Sequence, residues 1–344
     1  MHAALAQILA QNLAQNLADI AAHAFGHAPP TPALLLYDRA SPLARLLVEG
    51  YRAALPHAAA LDLEAVGSAA AMAAASALPA GSLVVLVEST RFEVAEVAGG
   101  RLRLELFRRG LQVIEHPHVG RVPEAELPVY IDALAYDPGY LRPLGAALKA
   151  RIDAAARIEV RSPLGDLRYD GPFEGARLNV GDYTGMANVG GQFPIGEVFT
   201  EPADLTAVNG QVSIGAFGAG DFSVSFPERP FALQIEAGRV VGVEGAPPAM
   251  RQILDEISAH EGEVWVRELG FGLNRAMGRA RRLHDVSAYE RMCGVHLSLG
   301  AKHAVYPKPG FERKKTKYHV DVFAWADRVE IDGAVVFAGE AYTL

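Results

Sequence analysis

Apolar positions change their period about halfway along the chain. Over the first 160 residues, helix-spaced stretches alternate with short unbroken apolar runs; beyond them come short alternating segments rich in Gly, Asn and Pro. Leu5, Ile8, Leu9, Leu13, Leu17 and Ile20 fall near helical spacing and predict an amphipathic opening helix. Ala33-Leu-Leu-Leu-Tyr37 reads as a strand buried on both faces. Ser41-Pro42 then marks the start of a helix over 42–54. A second strand is expected at Leu61–Val66, a helix over 69–78 and a third strand at Leu83–Val87. This β–α–β–α–β order implies a parallel sheet with right-handed crossovers. Helical segments near 101–111 and 139–156 complete the half.

Beyond residue 160, Arg157–Val160 and Leu167–Tyr169 read as short strands, and 170–245 as further short alternating stretches. Helices are expected at 248–260 and, in a basic run, at 274–283. Strands are expected at 293–299, 317–326 and 328–338, with Asp332-Gly333 as a two-residue hairpin turn. The predicted architecture is an α/β N-terminal domain with a mainly parallel sheet (1–160), followed by an α+β C-terminal domain (161–344) that carries the candidate chemistry. No internal repeat is present.

With 344 residues the chain is long enough for two moderate domains, and half of it is apolar. A formal net charge of −8 argues against nucleic acid as a partner. One basic stretch, Lys302, Lys308, Arg313, Lys314, Lys315 and Lys317, is either a solvated loop or a cationic rim for an anionic substrate. No run of about 18 apolar residues predicts a membrane span. Gln, Asn and Asp interrupt the opening helix where a signal peptide would be unbroken, so a cytoplasmic protein is expected. The single cysteine, Cys293, permits no intramolecular disulfide and suits a reducing compartment; it is read as a packed hydrophobe, with a reactive thiol as the alternative. A nucleotide-binding reading fails. Asp38-Arg-Ala-Ser-Pro42 follows the first strand in place of a Gly-rich turn, no phosphate loop exists, and Gly215, Gly218 and Gly220 suit turns.

The candidate chemistry is a set of oxygen and nitrogen donors. Glu197 stands in Gly-Glu-Val-Phe-Thr, Glu268 in Glu-Leu-Gly-Phe-Gly-Leu-Asn, His296 in Gly-Val-His-Leu-Ser-Leu-Gly, and His319 and Asp321 in His-Val-Asp-Val. Period-two geometry puts the His319 imidazole and the Asp321 carboxylate on one face. Glycines near these residues let the backbone pass close to a ligand. Such donors without thiolate suit zinc, cobalt or manganese. Each residue alone also has a structural reading, a surface Glu or a hydrogen-bonded His. In Glu115-His-Pro-His118, His116 and His118 read structurally as a surface turn around Pro117.

Taken in order, these four segments resemble the aminopeptidase T family of metallo-aminopeptidases (the AmpT, AmpS and PepS enzymes), over roughly residues 140–344. The segment Ile331-Asp-Gly333 also resembles that family's closing hairpin, whereas the N-terminal half is shorter and only broadly similar. The resemblance implies a homodimer with an enclosed binuclear centre. Glu197 and His296 would hold one ion, His319 and Asp321 the other, and Glu268 would bridge them. Glu290 matches a further acidic position more loosely. Two divalent ions would be balanced by the three carboxylates and one bridging hydroxide, the nucleophile of a hydrolase that releases N-terminal residues from small peptides or cleaves a related amide. At the position of a family tyrosine this chain has His303, with Tyr306 nearby; either would complete the catalytic set with Glu268. Arg91 or Lys302 would recognise the rest of the substrate.

Two rival readings remain. The 2,5-dihydroxypyridine dioxygenases resemble the same family and use one Fe(II); His319, Asp321 and another histidine would make a two-His-one-carboxylate triad. Glu268, where such an enzyme would carry histidine, favours the hydrolase; in the other direction, His116 or His118 would match the second-sphere acid/base histidine that the dioxygenase resemblance implies. A non-catalytic metal- or ligand-binding member is the third reading, and it conflicts with the cost of keeping several carboxylates without a cation.

Overall fold

β1 (Ala33–Tyr37), β3 (Leu83–Val87) and β4 (Gln112–His116) are buried along their whole length, as strands covered on both faces must be. With β2 (Ala59–Asp62) and β5 (Gly190–Gln192) they form a parallel sheet of order β2-β1-β3-β4-β5. The computed structural model describes residues 2–97, 101–186, 189–219, 223–311 and 316–344, with side chains from residue 9. Gly220, Arg313, Lys314, Lys315 and the side chains of Leu5 and Ile8 therefore lie outside the described residues. The chain divides into two compact units. One comprises Met1–Arg142, Asn179–Ile195 and Arg281–Ala288, the other Pro143–Leu178, Gly196–Ala280 and Tyr289–Leu344. The change of pattern near residue 160 falls inside the second.

In the first unit, Leu34, Leu36, Val84, Leu86 and Val113 meet Met72 of the Ser68–Ser76 helix and Leu106 of the Leu102–Arg108 helix. The strand expected at Leu61–Val66 ends at Asp62. Its carboxylate accepts from the Glu64 amide (3.1 Å) and caps a helical turn, Leu63–Val66. β4 was hidden because Gln112 and Glu115 interrupt its apolar residues, yet it is an interior strand of the sheet.

The second unit is predominantly antiparallel; among the described residues its sheet has fourteen strands. Arg328–Ile331 and Ala334–Ala338 form the expected hairpin, with Asp332 and Gly333 at φ 50° and 79°, as a type I′ turn requires. The helix expected over 274–283 is absent: the segment is turns and bends. There Asn274 Oδ1 accepts from the Ala276 amide (3.1 Å), and Arg279 pairs with Asp327 and Glu340. These local and long-range contacts hold the segment without helical backbone hydrogen bonds. The strand expected from 317 begins only at Val320. Among the described residues no helix is long and apolar enough to cross a membrane.

Candidate metal centre

Four neighbouring antiparallel strands of the second unit carry the candidate ligands: β6 (Glu197–Thr200), β7 (Val266–Gly272), β8 (Gly294–Leu299) and β9 (Val320–Ala324). Their register sets Glu197 opposite Gly272, Gly270 opposite His296, and Ser298 opposite Asp321. Because side chains alternate, Glu197, Glu268, His296 and Asp321 all project from one face. A bulge between Val266 and Leu269 places Arg267 and Glu268 against Ser298 alone, and the Glu268 amide donates to Ser298 Oγ (3.0 Å). Such bulges re-aim side chains where a ladder meets a site.

The carboxylates and imidazoles converge. His296 Nε2 lies 3.3 Å from Glu197 Oε1 and 3.3 Å from Glu268 Oε1. His319 Nε2 lies 3.3 Å from Asp321 Oδ1. Among the described residues, Glu197, Glu268 and His296 form one donor group and Glu268, His319 and Asp321 another, each with ligand atoms within 4.8 Å of one another. Glu268 is common to both.

The surrounding hydrogen bonds fix which nitrogen faces inward. His319 Nδ1 donates to the Lys302 carbonyl (3.0 Å), which turns Nε2 towards Asp321, where it would offer its lone pair to a bound cation in place of a proton. His303 is arranged the opposite way. Its Nδ1 accepts from the amides of Val305 (3.2 Å) and Tyr306 (3.3 Å), so the proton sits on Nε2, which donates to Glu268 Oε2 (2.7 Å). The Tyr306 hydroxyl is turned away, onto the carbonyls of Gly175 (2.9 Å) and Phe199 (3.2 Å). It is His303, rather than Tyr306, that touches the cluster.

Two features escaped the sequence. Arg291 is buried, with Nη2 3.5 Å from Glu197 Oε2 and Nη1 hydrogen-bonded to Glu290. A charged residue between Tyr289 and Met292-Cys293 was the signal. The other is Arg267, wholly buried, whose fork grips Glu201 (2.9 Å twice) while Nη1 and Nη2 donate to the carbonyls of Ala301 and Tyr306 (2.6 Å each). This arginine pins both ends of the segment that presents His303.

The donor set fits a cation. Asp321 Oδ1 is buried with no neighbour among the described residues nearer than His319 Nε2 at 3.3 Å to satisfy it, and Gly270 leaves the space that the His296 ring occupies. Burial opposes charge on the histidines, but Glu197 and Glu268 hold His296 well above its usual range, and Asp321 and Glu268 hold His319 up at about 10. Burial alone would raise Glu268; the His296 and His303 hydrogen bonds instead draw it down. Burial, opposed by Arg291 and reinforced by Asp321 and Glu197, pushes Glu290 up to about 8. The acids thus call for positive charge, which imidazole protons supply when no cation does.

The remaining candidates lie elsewhere. His116 ends β4 and is fully buried, hydrogen-bonded through Nε2 to the Tyr51 hydroxyl (2.7 Å) and through Nδ1 to that of Tyr130 (3.2 Å). It is a core residue of the first unit and not part of a surface turn. His118 is half-buried in a left-handed conformation (φ 55°). Cys293 is buried, and burial pushes its thiol up to about 12, the behaviour of an inert packed cysteine. Of the basic stretch, Lys308 is neither solvated nor a free rim charge: it pairs with Glu174 (2.5 Å) and Glu201 (3.3 Å). Lys302 is exposed.

No protein-family model matches the chain, and neither does any curated protein sequence. Its fold does match solved structures. The 2,5-dihydroxypyridine dioxygenase from Pseudomonas putida KT2440 superposes with a TM-score of 0.60 at 16% identity, covering 97% of this chain and 96% of that one. AmpT (aminopeptidase T) from Thermus thermophilus superposes with a TM-score of 0.60 at 15% identity, covering 97% of this chain and 99% of that one. The relationship is distant and structural, and both neighbours are enzymes.

Proposed function

We propose that this protein is a metal-dependent hydrolase that removes N-terminal residues from small peptides or cleaves a related amide. One observation carries the reading: Glu268 belongs to both donor groups, the place a bridging carboxylate occupies between two ions. In this reading Glu197 and His296 would hold one divalent ion and His319 and Asp321 the other. Bound zinc, cobalt or manganese would polarise the scissile carbonyl and lower the pKa of water. The chain's own groups do the rest. The proton on His303 Nε2 fixes the second oxygen of Glu268 and is available to an anionic oxygen that approaches it. Arg291 offsets part of the charge of Glu197 and Glu290.

A second reading is a mononuclear Fe(II) ring-cleaving dioxygenase, favoured by the equally good superposition on 2,5-dihydroxypyridine dioxygenase. Metal analysis of protein purified without oxygen separates the two. About two zinc, cobalt or manganese ions per chain with turnover of aminoacyl anilides supports the hydrolase. One iron per chain with substrate-dependent oxygen uptake overturns it in favour of the dioxygenase.

A further inference from the structure

A second group of charges lies in the first unit, at the carboxyl ends of β3 and β4. Glu88 follows β3 directly, and Glu115 is the last residue but one of β4. Glu88 is only 1% exposed; its Oε1 accepts from the Phe92 amide (3.1 Å), but its Oε2 is buried with no hydrogen-bond partner among the described residues. Glu115 Oε2 accepts from Arg103 Nη1 (2.7 Å). These acids and two exposed arginines, Arg91 and Arg101, line a cavity of about 180 Å³ with apolar walls from Phe92 and Leu102.

Parallel sheets gather ligands at the carboxyl ends of their strands, and this volume is well below the roughly 300–1,000 Å³ of drug-sized sites. Its occupant is a small molecule whose charge pattern the walls constrain. A metal cation would face three guanidinium groups. A plain anion would face Glu88 and Glu115. A molecule with an ammonium at one end and a carboxylate at the other meets neither objection, and it gives Glu88 Oε2 the donor it lacks. Burial and the neighbouring Glu115 push the Glu88 carboxyl up to about 8, and an ammonium held against Oε2 would bring it back to the ionised form.

We propose that this cavity binds a free aliphatic α-amino acid, with its ammonium on Glu88 Oε2, its carboxylate on Arg91 and Arg101, and its side chain against Phe92 and Leu102. The site shares no residue with the metal cluster and does not depend on the hydrolase reading.

Calorimetric titration of the full chain with L-valine, isobutylamine and 3-methylbutanoate tests it. L-Valine should bind at one site, and each fragment at least about tenfold more weakly, because each forfeits one charge-assisted contact. Glu88→Gln and, at an exposed position where folding is not at risk, Arg101→Ala should each weaken L-valine at least about tenfold. The titration is run with a chelator present, so that valine held at the metal centre as a hydrolysis product does not contribute. The proposal is overturned by the absence of saturable binding in the millimolar range, by 3-methylbutanoate binding as well as L-valine, or by unaltered valine binding in Glu88→Gln. Unaltered binding in Arg101→Ala would sink it as well.

Discussion

The imidazole of His296 lies across Gly270, its partner on the neighbouring strand: a Cβ on Gly270 would stand 2.1 Å from both Cε1 and Nε2 of the ring. The missing side chain is what allows His296 Nε2 to reach Glu197 and Glu268 together.

Gly270→Ala should therefore rotate the ring out of the cluster and weaken divalent-metal binding by 10-fold or more, on the order of losing a supporting contact. Metal titration followed by fluorescence, with circular dichroism as a control, checks this. Metal binding at the unaltered level in a folded variant would show that His296 is not a ligand.

His303 supplies the proton that Glu268 Oε2 accepts. His303→Phe keeps a ring and removes the donor; metal affinity should fall by roughly 10–100-fold. His303→Tyr restores a hydroxyl there and should recover part of the loss. Equal affinity in all three proteins, measured by competition with a chelating dye, would make the hydrogen bond dispensable.

Arg267 and Glu201 are 1% and 0% exposed, so removing the arginine leaves the buried Glu201 carboxylate only its longer contact with Lys308 (3.3 Å). Arg267→Met should cost about 3–5 kcal/mol in urea unfolding. It should also weaken metal binding, because the 301–306 segment loses two of its anchors. The double change Arg267→Met with Glu201→Leu should recover stability but not metal affinity. Recovery of both would remove the positioning role of the arginine.

His116 gives a pH signature remote from the metal ligands in sequence. Burial holds its imidazole down at about 3, so it stays neutral in the folded chain and protonates near its ordinary pKa when unfolded. The unfolded chain then binds the extra proton. Stability is fully present above about pH 6.5 and is lost as pH falls from there towards 3, by on the order of 5 kcal/mol in all. Subtracting the denaturation profile of His116→Gln from that of the native sequence should isolate this slope. Parallel profiles would mean that His116 is already charged in the fold.

Short-range physics made much of the chain legible from residue order. β1 and β3 are unbroken apolar runs, Ser41 caps the helix it was expected to start (3.1 Å to the Ala44 amide), and Asp332-Gly333 forms its turn. Three of the five donor residues were visible in glycine-flanked strand segments, and the period of two already put the other two, His319 and Asp321, on one side. β4 was not legible, since polar residues inside a strand look like a loop until neighbours cover both faces. The basic segment after Asn274 looked helical because its arginines' partners, such as Asp327 and Glu340, are distant in sequence.

Amino-acid order by itself determined which donors exist and which share a strand face. Tertiary structure alone decided that Glu268 joins two donor groups, that Arg291 stands beside Glu197, and that the His303 proton points at a carboxylate while the Tyr306 hydroxyl points away. The reason is physical. Side-chain alternation is a property of one strand, whereas register, bulges and the tautomer of an imidazole are set by groups that only folding brings within hydrogen-bond distance.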